Sequence, residues 1–323
     1  MMFESIIAVI AGFVFLAWGA DRCVMGASVT ARNFGVSPMV IGLTIVGFGT
    51  SAPEMLVSGV AAWEGNTGLS IGNALGSNIT NIALVLGVTA LVAPLVVQSD
   101  TVRREIPILL AVSLLAFLLM SDGYLGRVDG ALLMIGLVVM IVMVVSLGLK
   151  SRKDDPLEEE FVEEMPEAMS TGKAIFWLVL GIVILLVSSR LLVWGAVNIA
   201  QAFGVSDLII GLTIVAIGTS MPELMATVMS ALKKEHDLAL GNIIGSNMFN
   251  LLGVLGLPGI IHPSGFLPDV LGRDFPWMIG LTLALFIMSY GFRGPGKINR
   301  IEGGILFAAY CAYMTMLYFS VMA

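Results

Sequence analysis

The chain has 323 residues, of which 58% are hydrophobic and only 12% are charged, with a formal net charge of −7 and a mean hydropathy of +0.98. Soluble globular domains average about 25% charged residues, so this composition excludes a soluble globular protein and indicates a membrane protein. No basic patch with interleaved aromatic residues suggests a nucleic-acid partner. Cys23 and Cys311 lie singly in apolar segments, and we interpret both as packing residues.

Apolar stretches of the length needed to cross about 30 Å of hydrocarbon recur from end to end. The first is interpreted as a span and not as a removable signal peptide, because it has no basic region before it. The fold class predicted is an all-α membrane protein with ten transmembrane helices. The predicted spans are residues 4–30, 38–62, 69–93, 105–121, 127–149, 173–200, 207–232, 238–261, 275–292 and 301–321.

The distribution of Lys and Arg predicts the orientation, because short cytoplasmic loops are rich in both. With the N-terminus outside, twelve of the sixteen basic residues fall in inward loops, and only Arg127 and Arg273 fall in outward loops. Five spans per half is an odd number, so the second half enters the membrane upside down. The sequence therefore predicts two inverted five-helix repeats, with the N- and C-termini outside the cell.

Two duplicated motifs support this division. GLTIVGFGTSAPE at residues 42–54 returns as GLTIVAIGTSMPE at 211–223, and GNALGSNITN at 72–81 returns as GNIIGSNMFN at 241–250, all at an offset of 169. The predicted domains are residues 1–149 with the first repeat (42–81), an acidic cytoplasmic linker (150–172), and residues 173–323 with the second repeat (211–250). The linker is interpreted as a solvated tether, with a regulatory cation sensor as the alternative.

The first motif predicts a cluster of oxygen atoms at the membrane midplane. On a helix, Thr50, Ser51 and Glu54 share one face, and Pro53 leaves the carbonyl of Gly49 without its usual partner. A carboxylate at the centre of a membrane helix costs roughly 2.5–3.5 kcal/mol even on a lenient scale, so it indicates a functional site. The second half repeats the set as Thr219, Ser220, Pro222 and Glu223.

The second motif adds a polar stripe at helical spacing. Its members are Asn73, Ser77, Asn81, Asn242, Ser246 and Asn250. Ser77, Asn81, Ser246 and Asn250 are expected to complete a ligand sphere, whereas Asn78 and Asn247 are interpreted as hydrogen bonds between helices. Oxygen ligands with two carboxylates suit Ca²⁺. Transition metals would require His or Cys, and His236 and His262 are placed in loops on opposite sides of the membrane.

Two copies of G-T-S-x-P-E, each followed by G-N-x-x-G-S-N-x-x-N, resemble the paired alpha-repeats of the sodium/calcium exchangers, in the cation/calcium exchanger superfamily. The resemblance extends over the ten-span layout and is closest to prokaryotic calcium/sodium antiporters. It implies a secondary antiporter of the cell membrane, not an enzyme, that exchanges Na⁺ for Ca²⁺ by alternating access and normally extrudes Ca²⁺. Transport is expected to be electrogenic, without a bound cofactor, and the partners are the two ions and the lipid bilayer.

The resemblance also implies a role for each matching residue. Glu54 and Glu223 would hold Ca²⁺ with the backbone carbonyls of Thr50 and Thr219. The flanking Na⁺ sites would use Ser51, Ser77, Ser220, Ser246 and the carbonyls of Gly47 and Ala216. Some relatives have Asp where this chain has Asn81 or Asn250, and an acidic residue there accompanies potassium dependence. Asn at both positions implies a potassium-independent exchanger, and the family suggests that the first and sixth spans slide as a gating bundle.

Two other functions are compatible with the sequence. A proton/calcium exchanger of the same superfamily would protonate Glu54 and Glu223 where the sodium-driven one binds Na⁺, although the hydroxyls of the first motif favour Na⁺. A more remote alternative is an intramembrane enzyme that uses the same two residues as an acid/base pair. The sequence supplies no nucleophile for such an enzyme.

Overall fold

The computed structural model describes residues 2–35, 47–97, 100–150, 166–290 and 296–322, which are mostly helical, as predicted. Four predicted features fall wholly or partly outside these residues. They are the start of the first repeat at 42–46, the start of the span predicted at 38–62, residues 151–165 of the acidic linker, and the last two residues of the span predicted at 275–292.

The helices follow one another in the order of the predicted spans. The first six are α1 (Met2–Asn33), α2 (Gly47–Thr50), α3 (Ala52–Trp63), α4 (Thr67–Val92), α5 (Asp100–Leu119) and α6 (Arg127–Lys150). The next six are α7 (Thr171–Phe203), α8 (Asp207–Thr219), α9 (Met221–Lys233), α10 (His236–Ile261), α11 (Val270–Tyr290) and α12 (Arg300–Met322). Short strands lie between helices, namely β1 (Leu95–Val97), β2 (Tyr124–Leu125), β3 (Ser264–Gly265) and β4 (Gly296–Ile298).

Within the described ranges, six helices are long and apolar enough to cross a membrane: α1, α4, α7, α10, α11 and α12. A seventh span is added if α8 and α9, which are bent by 43° at their junction, are taken together. Helices α5 and α6 overlap the spans predicted at 105–121 and 127–149, but they are not among these six candidate spans. Helix α5 begins with several charged residues. The structure establishes a multi-span helical protein, and the count of ten remains a prediction.

Two helix breaks occur at equivalent positions of the duplicated motif. Ser51 separates α2 from α3 with φ −88° and ψ 1°, and Ser220 separates α8 from α9 with φ −83° and ψ 6°. Pro53 and Pro222 lie in the first turn of the helix that follows, where proline is tolerated because its missing N–H has no helical partner there. Each break therefore begins a new helix just before the motif's glutamate.

The two central helices each contain a π-helical segment. It spans Thr80–Leu86 in α4 and Asn250–Val254 in α10, at the end of the second motif in both cases. Such segments leave backbone groups out of the regular helical ladder and occur often at functional sites. In α4 and α10, 78% and 83% of the most apolar stretch is buried, compared with 33% in α1 and 28% in α7. Helices α4 and α10 thus form the core, and α1 and α7 lie at its periphery.

Helices α1 and α7 run antiparallel and pack closely through glycines. A Cβ atom on Gly12 would come within 2.9 Å of Leu192 Cβ, and one on Gly195 would come within 2.8 Å of the Ser5 carbonyl. Small residues at such points let two membrane helices approach along their length. At the C-terminal end of α1, Arg32 donates a hydrogen bond to the carbonyl of Pro166, which precedes α7, at 2.9 Å. The pair therefore packs as one unit.

Two antiparallel strand pairs connect distant parts of the chain. Strand β1, after α4, pairs with β4, before α12; strand β3, after α10, pairs with β2, before α6. At the start of α6, the Asp129 carboxylate accepts the Gly126 N–H at 2.8 Å, and at the start of α12 the Glu302 carboxylate accepts the Asn299 N–H at 2.8 Å. The strand pairs thus connect α4 to α12 and α10 to α6, and the two carboxylates cap the starts of α6 and α12.

Candidate cation-binding site

Two carboxylates are completely buried between the central helices. Glu54 lies in the first turn of α3 and Glu223 in the first turn of α9, and both side chains are 0% exposed. The unpaired N–H groups at a helix N-terminus carry partial positive charge, which favours a carboxylate in the first turn. The breaks at Ser51 and Ser220 therefore both position the glutamates and lower the cost of their charge.

Each carboxylate faces two hydroxyl groups, at least one of which comes from the other copy of the motif. Glu54 interacts with Thr219 and Ser220, and Glu223 interacts with Ser246 and Thr50 and also with the charge of Glu54. These approaches fall short of proper hydrogen-bond geometry, so all four carboxylate oxygens are buried without a hydrogen bond. An unpaired buried charge costs several kcal/mol, and this donor set is therefore suited to a cation.

Four further side-chain oxygens of the predicted ligand residues are buried without a hydrogen bond. They are Ser51 Oγ, Ser220 Oγ, Asn81 Oδ1 and Asn250 Oδ1. Hydroxyl, amide and carboxylate oxygens are the ligands that hard cations such as Ca²⁺ take in proteins. Across the described part of the chain, no three His, Cys, Asp or Glu side chains come together as a metal site. The chemistry therefore fits a hard cation held mainly by uncharged oxygens and two carboxylates.

A second set of hydroxyls is linked across the two copies of the motif. Thr50 Oγ1 lies 3.2 Å from Ser246 Oγ, and Ser77 Oγ lies 3.5 Å from Thr219 Oγ1. All four atoms come from positions that the sequence predicted as ligands. In each pair, one residue comes from the first repeat and the other from the second repeat, so the two repeats meet in one site.

Comparison with known proteins agrees with this chemistry. Residues 4–146 and 173–319 match the sodium/calcium exchanger protein family. The chain belongs to this family. Its members are transporters, so the enzyme alternative that would use Glu54 and Glu223 as an acid/base pair does not apply to this exchanger.

Relatives of the exchanger match it along almost its whole length. The CaxA antiporter of Alkalimonas amylolytica is 52% identical over 99% of this chain and 100% of its own. The sodium/calcium exchanger MaX1 of Methanosarcina acetivorans is 31% identical over 99% of this chain and 100% of its own. The Ca²⁺/H⁺ antiporter ChaA of Bacillus subtilis is 26% identical over 88% of this chain and 85% of its own.

A solved structure has the same fold. The sodium-calcium exchanger NCX_Mj, soaked with Na⁺ and Sr²⁺, aligns with a TM-score of 0.68 and 32% identity, over 98% of this chain and 99% of its own. At this identity the likeness reaches beyond general fold to the family, which agrees with the match of the two motif-bearing regions.

The structure brings seven of the twelve predicted ligand residues together by their side chains. These are Glu54, Glu223, Thr50, Thr219, Ser220, Ser77 and Ser246. Ser51, Asn81 and Asn250 are buried, each with a side-chain oxygen that has no hydrogen bond. Gly47 and Ala216 were predicted to contribute only carbonyls. The Ala216 carbonyl already accepts the Ser220 N–H at 3.1 Å, although a carbonyl oxygen has a second lone pair. Gly47 begins α2, three residues before Thr50.

Asn78 and Asn247 join the two central helices, as the sequence indicated. Asn78 Nδ2 donates to the Asn247 carbonyl at 3.2 Å, and Asn81 Nδ2 donates to Asn247 Oδ1 at 3.1 Å. Because the nitrogen of Asn81 is used in this bond, its Oδ1 atom is the end left for another partner. Asn247 thus orients Asn81 in the exchanger.

Sequence reasoning placed Asn73 and Asn242 in the polar stripe without a role, and it missed their partners Ser58 and Thr227. Asn73 and Asn242 accept hydrogen bonds from Thr219 and Thr50 at 3.2 and 3.3 Å. Their nitrogens donate to Ser58 and Thr227 at 2.9 and 3.0 Å. Positions 58 and 227 are also separated by 169 residues and both carry hydroxyls, so the offset was a signal that could have identified them.

Proposed function

We propose that this exchanger is a secondary antiporter that moves Na⁺ in one direction and Ca²⁺ in the other by alternating access, and that it normally extrudes Ca²⁺. The observation that carries the proposal is the pair of fully buried carboxylates, Glu54 and Glu223, whose four oxygens have no hydrogen bond and face hydroxyls. Two relatives named as sodium/calcium exchangers support the choice of ions.

The proposed Ca²⁺ ligands are the carboxylates of Glu54 and Glu223 with the carbonyls of Thr50 and Thr219. The proposed Na⁺ ligands are Ser51, Ser77, Ser220, Ser246 and the carbonyls of Gly47 and Ala216. Asn81 and Asn250 are proposed to complete the ligand sphere. One Ca²⁺ or two Na⁺ would neutralise the two carboxylates, and a third Na⁺ would leave one positive charge among neutral oxygens. Transport of more than two Na⁺ per Ca²⁺ is therefore electrogenic.

Antiport follows from the cost of the unoccupied site. A carrier with two unpaired carboxylates near the bilayer centre carries a penalty of several kcal/mol. Any further penalty in the occluded state slows the crossing about tenfold per 1.4 kcal/mol. The loaded carrier changes sides, whereas the unloaded carrier is held back. Ca²⁺ movement is then coupled to Na⁺ movement, and leak is slow.

Two inverted repeats of five helices are the architecture that we propose around this site. The helix breaks at Ser51 and Ser220 and the π segments of α4 and α10 support it, because they recur at the motif offset of 169. The proposal places the halves at 1–149 and 173–323, the acidic tether of 150–172 in the cytoplasm, and both termini outside.

The topology has a direct test by cysteine labelling. Single cysteines at positions 66 and 269 should react with an impermeant reagent from outside, and one at 160 only from the cytoplasm, since basic residues mark the inner loops. The background variant would have Cys23 and Cys311 replaced by Ala. Labelling of position 160 from outside would overturn the inverted arrangement.

Unequal packing of α3 and α9 supports alternating access. In α9, the side chains of Met221, Met225 and Met229 are 38%, 62% and 47% exposed. The equivalent residues of α3 are buried or half-buried, and α3 packs against α7 and α10. If the α1–α7 pair moved from α3 toward α9, it would cover the methionines and uncover α3. Access to the site would change sides.

A second candidate function is Ca²⁺/H⁺ exchange, and the observation that favours it is the similarity to ChaA. In that case Glu54 and Glu223 would bind protons in place of Na⁺. The buried hydroxyls of Ser51 and Ser220 favour Na⁺, because a proton on a carboxylate needs no such ligand.

Asn at both 81 and 250 supports exchange without potassium.

The experiment is Ca²⁺ flux in proteoliposomes that contain the purified exchanger. Vesicles loaded with Ca²⁺ are diluted into Na⁺, into K⁺, or into K⁺ with an imposed pH gradient. We expect fast Ca²⁺ efflux only with Na⁺, accelerated by a membrane potential of the appropriate sign. Efflux driven by the pH gradient alone would replace the proposal by Ca²⁺/H⁺ exchange. Equal efflux without either gradient would indicate a channel.

A further inference from the structure

The Asn73 side chain of α4 makes all its hydrogen bonds within the protein. Its Nδ2 donates to the Ser58 hydroxyl at 2.9 Å and to the Glu54 backbone carbonyl at 3.2 Å. A backbone carbonyl accepts only, so the Glu54 carbonyl decides which end of the Asn73 amide is the nitrogen. Oδ1 is then turned toward Thr219, whose hydroxyl donates to it at 3.2 Å. The amide of Asn73 is thus oriented by its partners and is not a cation ligand.

This orientation makes Asn73 Oδ1 one of the acceptors around the Thr219 hydroxyl. Thr219 has one hydroxyl proton, and that proton points to an acceptor: Asn73 Oδ1 at 3.2 Å, the Val215 carbonyl at 3.0 Å or the Ala216 carbonyl at 3.4 Å. The Thr219 oxygen is therefore the acceptor toward Ser77, whose Oγ lies 3.5 Å away. Ser77 gives its proton to Thr219, and its lone pairs remain for another partner.

The second copy of the motif has the same chain of contacts. Thr50 donates to Asn242 Oδ1 at 3.3 Å and lies 3.2 Å from Ser246 Oγ, and Asn242 Nδ2 donates to Thr227 at 3.0 Å. Ser58 and Thr227 differ in size but share a hydroxyl, the group that the amide needs. Each series of hydrogen bonds joins the two repeats, because its Asn and Ser come from one repeat and its Thr comes from the other.

We propose that Asn73 and Asn242 are positioning residues that orient the Thr219–Ser77 and Thr50–Ser246 hydroxyl pairs so that the serines present lone pairs to Na⁺. A cation binds the lone pairs of a hydroxyl oxygen and is repelled by its proton. The direction of these hydrogen bonds therefore decides whether the serine is a ligand. This inference rests on the proposed function, in which Ser77 and Ser246 are Na⁺ ligands and Ca²⁺ uses the glutamates.

The test separates Na⁺ affinity from Ca²⁺ affinity in reconstituted exchanger. In Asn73→Leu and Thr219→Val, we expect the half-saturating Na⁺ concentration to rise about five- to tenfold, the effect of one lost buried hydrogen bond. The half-saturating Ca²⁺ concentration should rise less than the half-saturating Na⁺ concentration, because Thr219→Val keeps the backbone carbonyl and both glutamates remain, although it removes a hydroxyl that faces Glu54. Thr219→Ser keeps the hydroxyl and should restore the wild-type Na⁺ dependence.

Two controls separate positioning from general damage. Asn78→Leu removes another buried amide of α4, one that bonds α10 and not the hydroxyl chain, and should leave the half-saturating Na⁺ concentration within about twofold. The half-saturating Na⁺ concentration of the double variant Asn73→Leu/Thr219→Val should be little higher than that of the more affected single variant, since both changes interrupt the same series of hydrogen bonds. If Asn73→Leu is not recovered in the membrane, the Thr219→Val and Thr219→Ser pair gives the answer.

The outcomes are distinct for this inference and for the proposed function. Wild-type flux that does not depend on Na⁺ would overturn both. Na⁺-driven wild-type exchange, together with an unchanged Na⁺ dependence in Thr219→Val, would overturn the positioning role alone. Equal rises in the half-saturating Na⁺ and Ca²⁺ concentrations would do the same, because they would show that these residues only maintain the fold.

Discussion

The two regions that meet at the candidate site, residues 47–81 and 211–250, carry the same proposed side-chain ligands but are packed differently. Asn73 is fully buried and holds the Glu54 carbonyl as well as Ser58, whereas Asn242 is half-buried and bonds only one hydroxyl through its nitrogen. Helix α3 is covered by α7, and α9 leaves its methionines exposed. A carrier needs this combination: equal chemistry keeps the ions bound, and unequal packing opens one side.

The largest expected effect comes from removing one charge from either region. Glu54→Gln and Glu223→Gln should each lower Ca²⁺ transport by about 100-fold or more, because a lost charged ligand of a desolvated cation amounts to several kcal/mol. The measurement is Na⁺-driven Ca²⁺ efflux from proteoliposomes. Glu64→Gln, at the exposed end of α3, is the matched control and should transport normally. Normal flux in either site variant would show that the carboxylates are not ligands.

A second pair of changes affects how α1 rests on the two regions. A Cβ atom on Gly49 would overlap the Val24 side chain, and one on Gly218 would overlap the Phe13 ring, both on α1. We expect Gly49→Ala and Gly218→Ala to reduce the rate of exchange about tenfold, because displacing packed side chains costs about 1–3 kcal/mol. The half-saturating ion concentrations should change less than the rate.

Gly280→Ala is the control for this pair. Gly280 lies in α11 with open space around its Cβ position, so the change should leave the exchange rate intact. If Gly49→Ala and Gly218→Ala also exchange at the wild-type rate, the transport cycle does not need the close approach of α1 to these two glycines.

The sequence predicted the ligand positions because their chemistry is costly in a membrane. Glu54 and Glu223 stood out as carboxylates within apolar runs, and the constant offset of 169 paired them. Neighbours within one motif, such as Thr50 and Ser51, followed from helical spacing. These inferences required only local sequence and the energetics of burial.

Contacts between the two regions were beyond sequence reasoning, because they depend on how α4 and α8 pack. Nothing local shows that Thr219 donates to Asn73, or that Asn247 turns the amide of Asn81. The π segments were also unpredicted, since the residues of Thr80–Leu86 resemble any apolar helix. The central helices match the spans predicted at 69–93 and 238–261, and tertiary packing determined which of their polar atoms stayed without a hydrogen bond.

A third prediction compares equivalent amides. Asn250 has no hydrogen bond on either amide atom, whereas Asn81 Nδ2 is held by Asn247. Asn250→Asp adds a third carboxylate to the cluster, and repulsion should cause one member to bind a proton near neutral pH. Transport by Asn250→Asp should then vary more steeply between pH 6 and 8 than wild-type transport, by about threefold. A flat profile would show that position 250 is remote from the glutamates.

The same variant sharpens the prediction of potassium independence. Wild-type exchange should be the same in choline and K⁺ media, because the site has only two formal charges. Asn81→Asp serves as the comparison, since its amide partner Asn247 would then face a carboxylate and donate to it from Nδ2. Strong stimulation of the wild-type protein by K⁺ would contradict the interpretation of the paired asparagines.

The smallest expected effect concerns stability and lies away from the site. Asp274 of α11 is 0% exposed and is bonded by Arg273 at 2.7 Å and by the Tyr313 hydroxyl at 2.9 Å. The equivalent residue at an offset of 169 is Glu105, but the Tyr313 contact ties α11 to α12 in the second half. Tyr313→Phe removes one hydrogen bond to a charged group, which contributes about 1.5–3 kcal/mol.

We expect Tyr313→Phe to lower the thermal unfolding midpoint by a few degrees while leaving the ion affinities unchanged, because the Arg273 pair still neutralises Asp274. Tyr318→Phe, whose ring is 58% exposed, should not shift the midpoint. Both are measured by thermal unfolding in detergent, with Na⁺-driven flux in parallel. A change of Na⁺ or Ca²⁺ affinity in Tyr313→Phe would mean that the α11–α12 contact acts on the site, and the comparison of the two regions would then have to include the outer helices.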